Sequence, residues 1–369
     1  MRHYTSPRPA RPRPSPRRAR PRPPAPGFVL AVTLWLLAGI AVVVGLVTIW
    51  SLDEVRDAAR DREVVEDQLA LLGTRDTLIY LAATRDMTLA GLPTRPLADD
   101  KRATLLLHEF GAFDRTPIGG ELRLDGSVYE GLGGTSFAVQ DEAGLFSLSW
   151  PQGRDIDRFL ASQGIAREQI PSLRDPLLDY IDLDTLRHLH GAEAGEYERQ
   201  SLPPPPNRRL LLPVELGRIL GWRDLPQAQR LALGDVTTTF YSGAFNLNTA
   251  PEGLLAGLLG GCPETCATFL ARREQRPFAS SHEIETLLGV RLPGDSAVDY
   301  RYAPSDTLRL TLWGGTGTAW RIHVQFAALA DQHAPWYVLA AYPVSRPSRH
   351  ATAQPTDSDL FADPAADRR

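Results

Sequence analysis

The sequence has little cysteine: Cys262 and Cys266 are the two cysteines among its 369 residues. A chain of this length can bury a sizeable core without a disulfide framework. One cysteine pair, four residues apart, also argues against the multi-cysteine ligand sets of structural zinc sites. The pair predicts either one local disulfide, if the compartment is oxidising, or two ordinary buried thiols.

Catalytic signatures are also missing. The sequence has no Gly-x-Ser-x-Gly elbow, no Walker loop and no His-Glu-x-x-His motif. Asp141 and Glu142 are adjacent and could be taken for a pair of catalytic carboxylates, but neighbouring acids on a turn are mostly solvated and lack the deep pocket that such chemistry requires. The sequence therefore predicts a protein that is not an enzyme, with both acids in solvent.

Acidic residues are absent from the first 27 positions, which hold eight arginines and many prolines. Such a stretch cannot form a packed element, because proline removes hydrogen-bond donors and nothing apolar drives collapse. We interpret residues 1–27 as a leader. The rest of the chain carries 32 of the 40 basic residues against all 44 acidic ones, so its body is not expected to bind a polyanion.

Charge is absent from residues 28–50, which are almost entirely apolar. A helix of this length rises far enough, at about 1.5 Å per residue, to span a bilayer. The arginines before it should stay in the cytoplasm, and the acidic body that starts at Asp53 and Glu54 should lie on the other side of the inner membrane. The sequence thus predicts a single-pass inner-membrane protein with its body in the periplasm, an oxidising compartment.

Proline is absent between Pro26 and Pro93, which favours one helix that continues beyond the membrane to about Ala90. A signal anchor followed by a separate amphipathic helix is the alternative. Apolar residues recur at roughly helical spacing and predict a stripe that packs on a sheet or on partners. The stripe comprises Val55, Ala58, Val65, Leu69, Leu72, Ile79 and Ala83.

The order of periodicities along the chain predicts an α+β fold. Strand alternation marks residues 122–129, with a hairpin turn at Asp125 and Gly126, and residues 136–139 and 145–148 around a turn at 140–144. Helical patterns dominate residues 155–303, and strands return within 304–345. We predict a large all-α domain inserted between the strands of an α+β domain whose first part is 51–154, and a disordered tail at 346–369. The predicted helices span residues 156–163, 170–186, 213–220, 253–259, 266–274 and 281–288.

The start of the apolar run resembles the cleavage site of type IV prepilins, with cutting after Gly27 and methylation of Phe28. Most pilins carry Glu at the fifth mature position, whereas here Val32 stands there. That departure is typical of one family, the K-class minor pseudopilins of the type II secretion system. The resemblance runs from about Gly27 to about Tyr342 and implies a pilin-like fold, with a long N-terminal helix packed on an antiparallel sheet.

Two acidic stretches carry the resemblance further. Residues 140–149 are similar to an Asp-Glu-x-Gly-x-x-Asn-Leu-Asn run of the family, with serines in place of the asparagines. Residues 179–184 and 191–193 are similar to its Asp-Trp-Ile-Asp-x-Asp and Gly-Ala-Glu elements. Because family members bind calcium in the inserted domain, the resemblance implies calcium at Asp182, Asp184 and Glu193.

Two other interpretations of this acidic stretch remain open. One is a solvated acidic loop without a metal. The other is zinc at His188 and His190, which we consider weak because His-x-His is common by chance and softer ligands are missing nearby.

Residues 242–288 resemble both the family signature and a helix-hairpin-helix module of membrane-anchored DNA receptors, which is the alternative function. A phosphate-binding hairpin needs free backbone N–H groups and positive charge. Here Pro263 has no N–H and Glu264 would repel phosphate, so we expect a structural module and no nucleic-acid partner. Asn246 and Asn248 are then predicted to make caps and turns, with Thr249 as the N-cap of the next helix.

The resemblance also implies a function and a set of partners. It predicts a subunit at the tip of the secretion pseudopilus that starts or caps filament assembly for the export of folded proteins across the outer membrane. The implied partners are the I-class and J-class minor pseudopilins, the major pseudopilin, the prepilin peptidase and the inner-membrane secretion platform.

Overall fold

A computed structural model describes residues 26–95, 115–149, 151, 153–260, 262–315, 319–327, 335–345 and 360–361. The predicted leader, apart from the backbone of its last two residues, and almost all of the predicted tail lie outside these ranges. The chain divides into two compact units, one that ends at Glu63 and one that begins at Val64. Each is described by itself below.

The first unit is the start of one long helix, α1 (Pro26–Thr84). Its run of leucine, valine and alanine without proline satisfies every backbone hydrogen bond internally, as a lipid environment would require. It is the one helix in the described part of the chain that is long and apolar enough to cross a membrane. α1 is continuous into the second unit, as predicted, but it ends at Thr84 rather than near Ala90.

The second unit is organised around an antiparallel sheet of five strands. The strands are β3 (Asp125–Glu130), β4 (Ser136–Asp141), β9 (Thr307–Trp313), β10 (Ala319–Phe326) and β11 (Trp336–Val344). Their order is β11-β10-β9-β4-β3. β4 and β9 are paired at the centre, in a register that aligns Val139 with Leu310.

The last turns of α1 pack on this sheet through Leu78, Leu81 and Ala82, which join Phe137 and Leu310 in one hydrophobic core. Over most of its length the predicted stripe does not pack on the sheet, and its packing on partners stays a prediction. Ile79 is buried, but Val55, Val65, Leu69 and Leu72 are exposed, each by 45% or more. The helical period was correct, but the contact is confined to the part of the helix that lies over the sheet.

The predicted hairpin at residues 122–129 is also wrong. β2 (Glu121–Leu122) pairs with β1 (Leu92–Pro93), and β3 pairs with β4. Gly126 has a φ of +82°, but it lies inside β3, where the register with β4 shifts between Asp125 and Val128. The Asp-Gly pair thus makes a bulge rather than a turn. Glycine accepts the positive φ that both a bulge and a turn require, so the sequence alone did not distinguish them.

The turn predicted at 140–144 is present as a 3₁₀ helix, Glu142–Gly144. The strand after it, β5 (Phe146–Ser147), leaves the sheet and pairs in parallel with β6 (Thr237–Thr238). β7 (Phe245–Asn246) likewise pairs in parallel with β8 (Tyr300–Arg301). These two short pairs join the main sheet to the helical block.

The helical block lies in the chain between β4 and β9. Its α-helices are α2 (Gly153–Ser162), α3 (Ile170–Ile181), α4 (Ala194–Arg199), α5 (Gln227–Asp235), α6 (Glu252–Leu259), α7 (Glu264–Gln275) and α8 (Ser281–Leu288). Two further segments, Pro213–Arg218 and Trp222–Asp224, are 3₁₀ helices. α3 ends five residues before the predicted limit at 186, and α4 and α5 were not predicted.

The block has two hydrophobic cores rather than one. The first surrounds Trp222, which is fully buried and donates its indole N–H to the Leu173 carbonyl at 2.7 Å. The second is built on Phe269 and Phe278, whose stacked rings lie 4.8 Å apart. The predicted fold class is confirmed: the protein is α+β, with a long N-terminal helix, an antiparallel sheet and a large helical insertion between strands.

Candidate cation site and buried polar junction

A cluster of two carboxylates and one imidazole lies where α3 ends. Asp179 is on the last turn of α3, Asp182 follows the helix directly, and His188 is on the loop toward α4. One potential ligand atom from each residue lies within 4.8 Å of those of the other two. Three residues of different sequence position thus converge as a metal-ligand set would.

Asp179 is fully buried, and it is the most enclosed of the three side chains. Its Oδ1 accepts the backbone N–H of His188 at 3.2 Å and contacts the Nδ1 atom of the His188 ring. Its Oδ2 has no hydrogen-bond partner among the described residues. Gly191 packs so closely on Oδ2 that a Cβ at this position would overlap with it, which explains why a glycine stands there.

The structure treats the three predicted ligands differently. Asp182 belongs to the cluster, and its Oδ1 is buried without a partner among the described residues. Asp184 instead accepts the Leu186 N–H at 2.8 Å, so its carboxylate holds its own loop. Glu193 is 8% exposed and lies outside the three-residue cluster, and its side chain is part of a capping box at the start of α4.

Two members of the cluster, Asp179 and His188, were not predicted as ligands. Asp179 begins the acidic stretch 179–184, but the helix was predicted to run to residue 186, which placed Asp179 in its interior and away from a ligand site. His188 was set aside because no softer ligand was near it in the sequence. Only the return of the loop over the end of α3 brings the imidazole to the carboxylates.

The carboxylates in and around the cluster repel one another. Burial and the neighbouring carboxylates of Asp184 and Asp179 raise the pKa of Asp182. Burial and the charges of Asp179, Asp182 and Asp184 likewise raise the pKa of Glu193. The bond to Asp179 raises the pKa of His188, despite partial burial of the ring. A bound cation would offset this repulsion.

The donor set fits a divalent cation, because Asp179 Oδ2 and Asp182 Oδ1 have no hydrogen-bond partner among the described residues. The carboxylates suit calcium, a hard cation that takes oxygen ligands, whereas the nitrogen of His188 does not. Calcium at Asp182, Asp184 and Glu193 stays a prediction.

A second polar group, the buried junction, lies between the sheet and the helical block and begins at Asp141, the last residue of β4. Its carboxylate is fully buried and accepts five hydrogen bonds from four residues, three of them in distant parts of the chain. Burial raises the pKa of Asp141, and these donors oppose the rise. The donors are Asn246 Nδ2 at 2.8 Å, Thr249 Oγ1 at 2.9 Å, Ser305 Oγ at 2.6 Å, Ser305 N at 3.1 Å and Ala143 N at 3.1 Å.

Glu142, the next residue, is buried against Arg309 and His323 on strands β9 and β10. Its carboxylate lies 3.2 Å from Arg309 Nε and 2.6 Å from His323 Nδ1. Burial opposes its ionisation, but the charge of Arg309 and the bond from His323 outweigh burial and lower the pKa of Glu142 to about 2. Burial lowers the pKa of His323, so a neutral ring donates to Glu142 and accepts the Tyr342 hydroxyl at 3.0 Å.

The prediction that Asp141 and Glu142 are solvated is therefore wrong: both side chains are fully buried. The predicted capping roles are also wrong in part. Asn248 N–H does bond to Asn246 Oδ1 in a turn at 3.0 Å, but the N-cap of α6 is Pro251, and Thr249 bonds to Asp141 instead. The Asn248 side chain joins two other segments, through the carbonyls of Phe278 and Tyr302 at 2.8 Å each.

The comparison with known families singles out the part of the block that holds the acidic cluster. Residues 149–231 match the family model described as "Type II secretion system (T2SS), protein K". The chain carries a type II secretion protein K domain. The match supports, over these residues, the family predicted from the sequence. No curated protein matches the chain.

The chain is also similar to a solved structure, "The Crystal Structure of the GspK-GspI-GspJ complex from enterotoxigenic Escherichia coli Type 2 Secretion System". The identity is 16% and the TM-score 0.47, and the match covers 78% of this chain and 100% of that chain.

The K domain contains the whole cation cluster, whereas the residues around Asp141 lie outside the matched residues. The helix-hairpin-helix-like segment follows the K domain, and its central arginine is used internally. Arg273 is 8% exposed and donates to the Ala250 carbonyl at 2.7 Å, and it lies 3.4 Å from Asp125 of β3. This arrangement supports a structural role for the segment.

A disulfide joins Cys262 to Cys266 at the start of α7, with Cα atoms 5.1 Å apart.

The predicted processing site precedes the K domain by more than a hundred residues. Gly27 and Phe28 lie in the first turn of α1, and the Phe28 side chain is exposed. Nothing in the geometry tests cleavage or methylation, which stay predictions.

Proposed function

We propose that this chain is a minor pseudopilin of the type II secretion system that acts at the tip of the pseudopilus, where it starts or caps the filament. The observation that carries this proposal is a K domain inserted in an antiparallel sheet behind one long apolar helix. The role is mechanical, and no catalytic group is assigned. The protein would serve the export of folded proteins across the outer membrane.

The apolar part of α1 supplies the anchor in this proposal. Before assembly it would hold the subunit in the inner membrane, with the body in the periplasm. During assembly the same helix would leave the lipid and pack among equivalent helices, where close packing offsets the loss of lipid contact. The prepilin peptidase and the inner-membrane platform would act on it at these two stages.

The position of Val32 favours the tip. In most pilins a carboxylate at the fifth mature position is thought to pair with the N-terminal amine of the subunit above. A valine side chain cannot accept that contact, so this subunit has no need of a neighbour above it. The bulk of the helical block, from Gly153 to Leu288, would also obstruct further stacking, which leaves the I-class and J-class minor pseudopilins and the major pseudopilin as partners below.

A divalent cation is part of the proposal, because the acidic cluster of the K domain would be stabilised by one. Bound at Asp182 and its neighbours, the cation would fix the loop between α3 and α4. Calcium is the cation that the family resemblance predicts.

The decisive experiment is mass spectrometry of the most N-terminal peptide from cells that contain a prepilin peptidase. A mature chain that begins with N-methylated Phe28 supports the proposal. An intact arginine-rich leader contradicts it and favours the membrane-anchored DNA receptor, which a salt-dependent DNA-binding assay would then test. Co-purification of the mature protein with I-class and J-class pseudopilins tests the tip assignment, and its failure would remove that assignment alone.

A further inference from the structure

The donor chemistry of the cluster points to a class of metal that the family resemblance does not predict. We propose that Asp179, Asp182 and His188, with Glu193 beside them, bind a first-row transition metal, zinc in the first instance, in preference to calcium. This inference deepens the cation site of the proposed function and rests on that site, but it does not depend on the role of the protein in the pseudopilus.

The imidazole is the first argument. Calcium takes six to eight oxygen ligands, and a histidine nitrogen contributes nothing to such a shell. Zinc is bound by nitrogen and carboxylate ligands, usually four in all. His188 provides a nitrogen within 4.8 Å of the ligand oxygens of Asp179 and Asp182. A three-residue set of this composition suits zinc better than calcium.

The unpartnered oxygens are the second argument, independent of the acidic clustering itself. Asp179 Oδ2 belongs to a fully buried side chain, yet it has no hydrogen-bond partner among the described residues. An unsatisfied buried carboxylate is costly. A metal would satisfy Asp179 and Asp182 together and would also attract Glu193.

The supply of oxygens is too small for calcium. Asp184, which the family resemblance offers as a ligand, already accepts the Leu186 N–H with one carboxylate oxygen, and its backbone carbonyl accepts the Asn207 amide. The cluster therefore offers two carboxylates and one imidazole, with Glu193 as a neighbouring acid. Three protein ligands with an open position suit zinc and are sparse for calcium.

The surroundings hold the ligands in place and leave a route for the ion. His188 N–H is bound to Asp179, and the next turn of the loop is fixed by His190 N–H, which donates to Asp175 Oδ2 at 3.0 Å. An open cavity of about 200 Å³ reaches the cluster, with Asp182 and His188 in its wall. A preformed site with an entry path is what metal binding needs.

The test is calorimetric titration of the metal-free, full-length protein in detergent micelles with zinc chloride and, separately, calcium chloride. We expect one zinc per chain, with affinity at least about tenfold above that for calcium. His188→Ala should weaken zinc binding by about 10- to 100-fold or more, as disruption of metal-site residues does, and leave calcium binding unchanged. Because the His188 ring is 44% exposed, this variant should fold.

His282→Ala is the matched control, since His282 is an exposed histidine on α8, outside the cluster. It should bind zinc like the wild type. Asp182→Asn is a second variant, which should also weaken zinc binding. Thermal unfolding with and without zinc checks that each variant is folded.

Three outcomes overturn the inference. Calcium affinity equal to or above that of zinc would return the site to the family prediction. Zinc affinity unchanged by His188→Ala would place the bound zinc elsewhere. Binding of neither metal would mean that a protonated His188 acts as the cation. None of these outcomes affects the N-terminal peptide experiment, so the failure of this inference and the failure of the proposed function remain distinguishable.

Discussion

Replacement of Glu142 by glutamine should strongly destabilise the protein, because Glu142 and Arg309 are a fully buried ion pair. The depression of its pKa from 4.5 to about 2 corresponds to about 3 kcal/mol, at about 1.4 kcal/mol per pKa unit. Loss of one partner from a buried pair typically costs about 3 to 5 kcal/mol, because the other charge is left uncompensated. We therefore expect Glu142→Gln to lower the free energy of unfolding by about 3 kcal/mol or more.

The same pair predicts how stability varies with pH. The pKa of Glu142 is lower in the folded than in the unfolded chain, so its contribution is complete above about pH 4.5 and is lost as the pH falls toward about 2. The wild type should lose stability over this interval, and Glu142→Gln should lack this component. The assay is urea unfolding of the full-length protein in micelles at pH 7 and at several values between 5 and 2.

Glu198→Gln is the control, because Glu198 is exposed on α4. It should unfold like the wild type at every pH. The reasoning would be refuted if Glu142→Gln and Glu198→Gln had the same free energy of unfolding at pH 7, or if both lost stability equally between pH 5 and 2.

The other predictions concern the N-terminus and the K domain. Gly27→Phe should block cleavage of the leader, seen as a band of precursor length on immunoblots; a mature-length band would contradict the prepilin interpretation. Asp182→Ala should lower the melting temperature only when zinc or calcium is present; equal melting of the wild type with metal and with chelator would remove the cation site. Gly191→Ala should cost about 1 to 3 kcal/mol, because its Cβ would overlap with Asp179 Oδ2, whereas the Cβ of Gly195→Ala meets nothing within 4 Å; equal urea midpoints for the two variants would contradict this.

Local patterns in the sequence were sufficient to predict the fold class. The absence of proline and charge predicts the helix that begins at Pro26, and apolar alternation predicts β9 and β10. These features depend on neighbouring residues alone. The length of helix that contacts the sheet depends instead on where the distant strands lie. For this reason Leu69 and Leu72 were expected in a packed stripe but are exposed.

The polar residues show the limit of such reasoning. Glu142 finds Arg309 and His323 at separations of 167 and 181 residues, and no local signal distinguishes it from a solvated acid on a turn. His188 reaches Asp179 only because α3 stops at Ile181 and the loop returns over its end. The family resemblance located the acidic loop, but it did not place the His188 ring beside the carboxylates of Asp179 and Asp182.

The pairing of β4 with β9 has a consequence for the order of folding. Residues 136–141 at the centre of the sheet meet residues 307–313, with the whole helical block between them. Contacts over such a separation form slowly, because the entropy of loop closure must be overcome first. We expect the two cores of the block to form early and shorten that loop, and Asp141 then to bind Asn246, Thr249 and Ser305 as the strands close. A newly synthesised chain would thus expose unpaired strand edges until its insertion had folded, which makes the insertion an internal folding aid for the sheet.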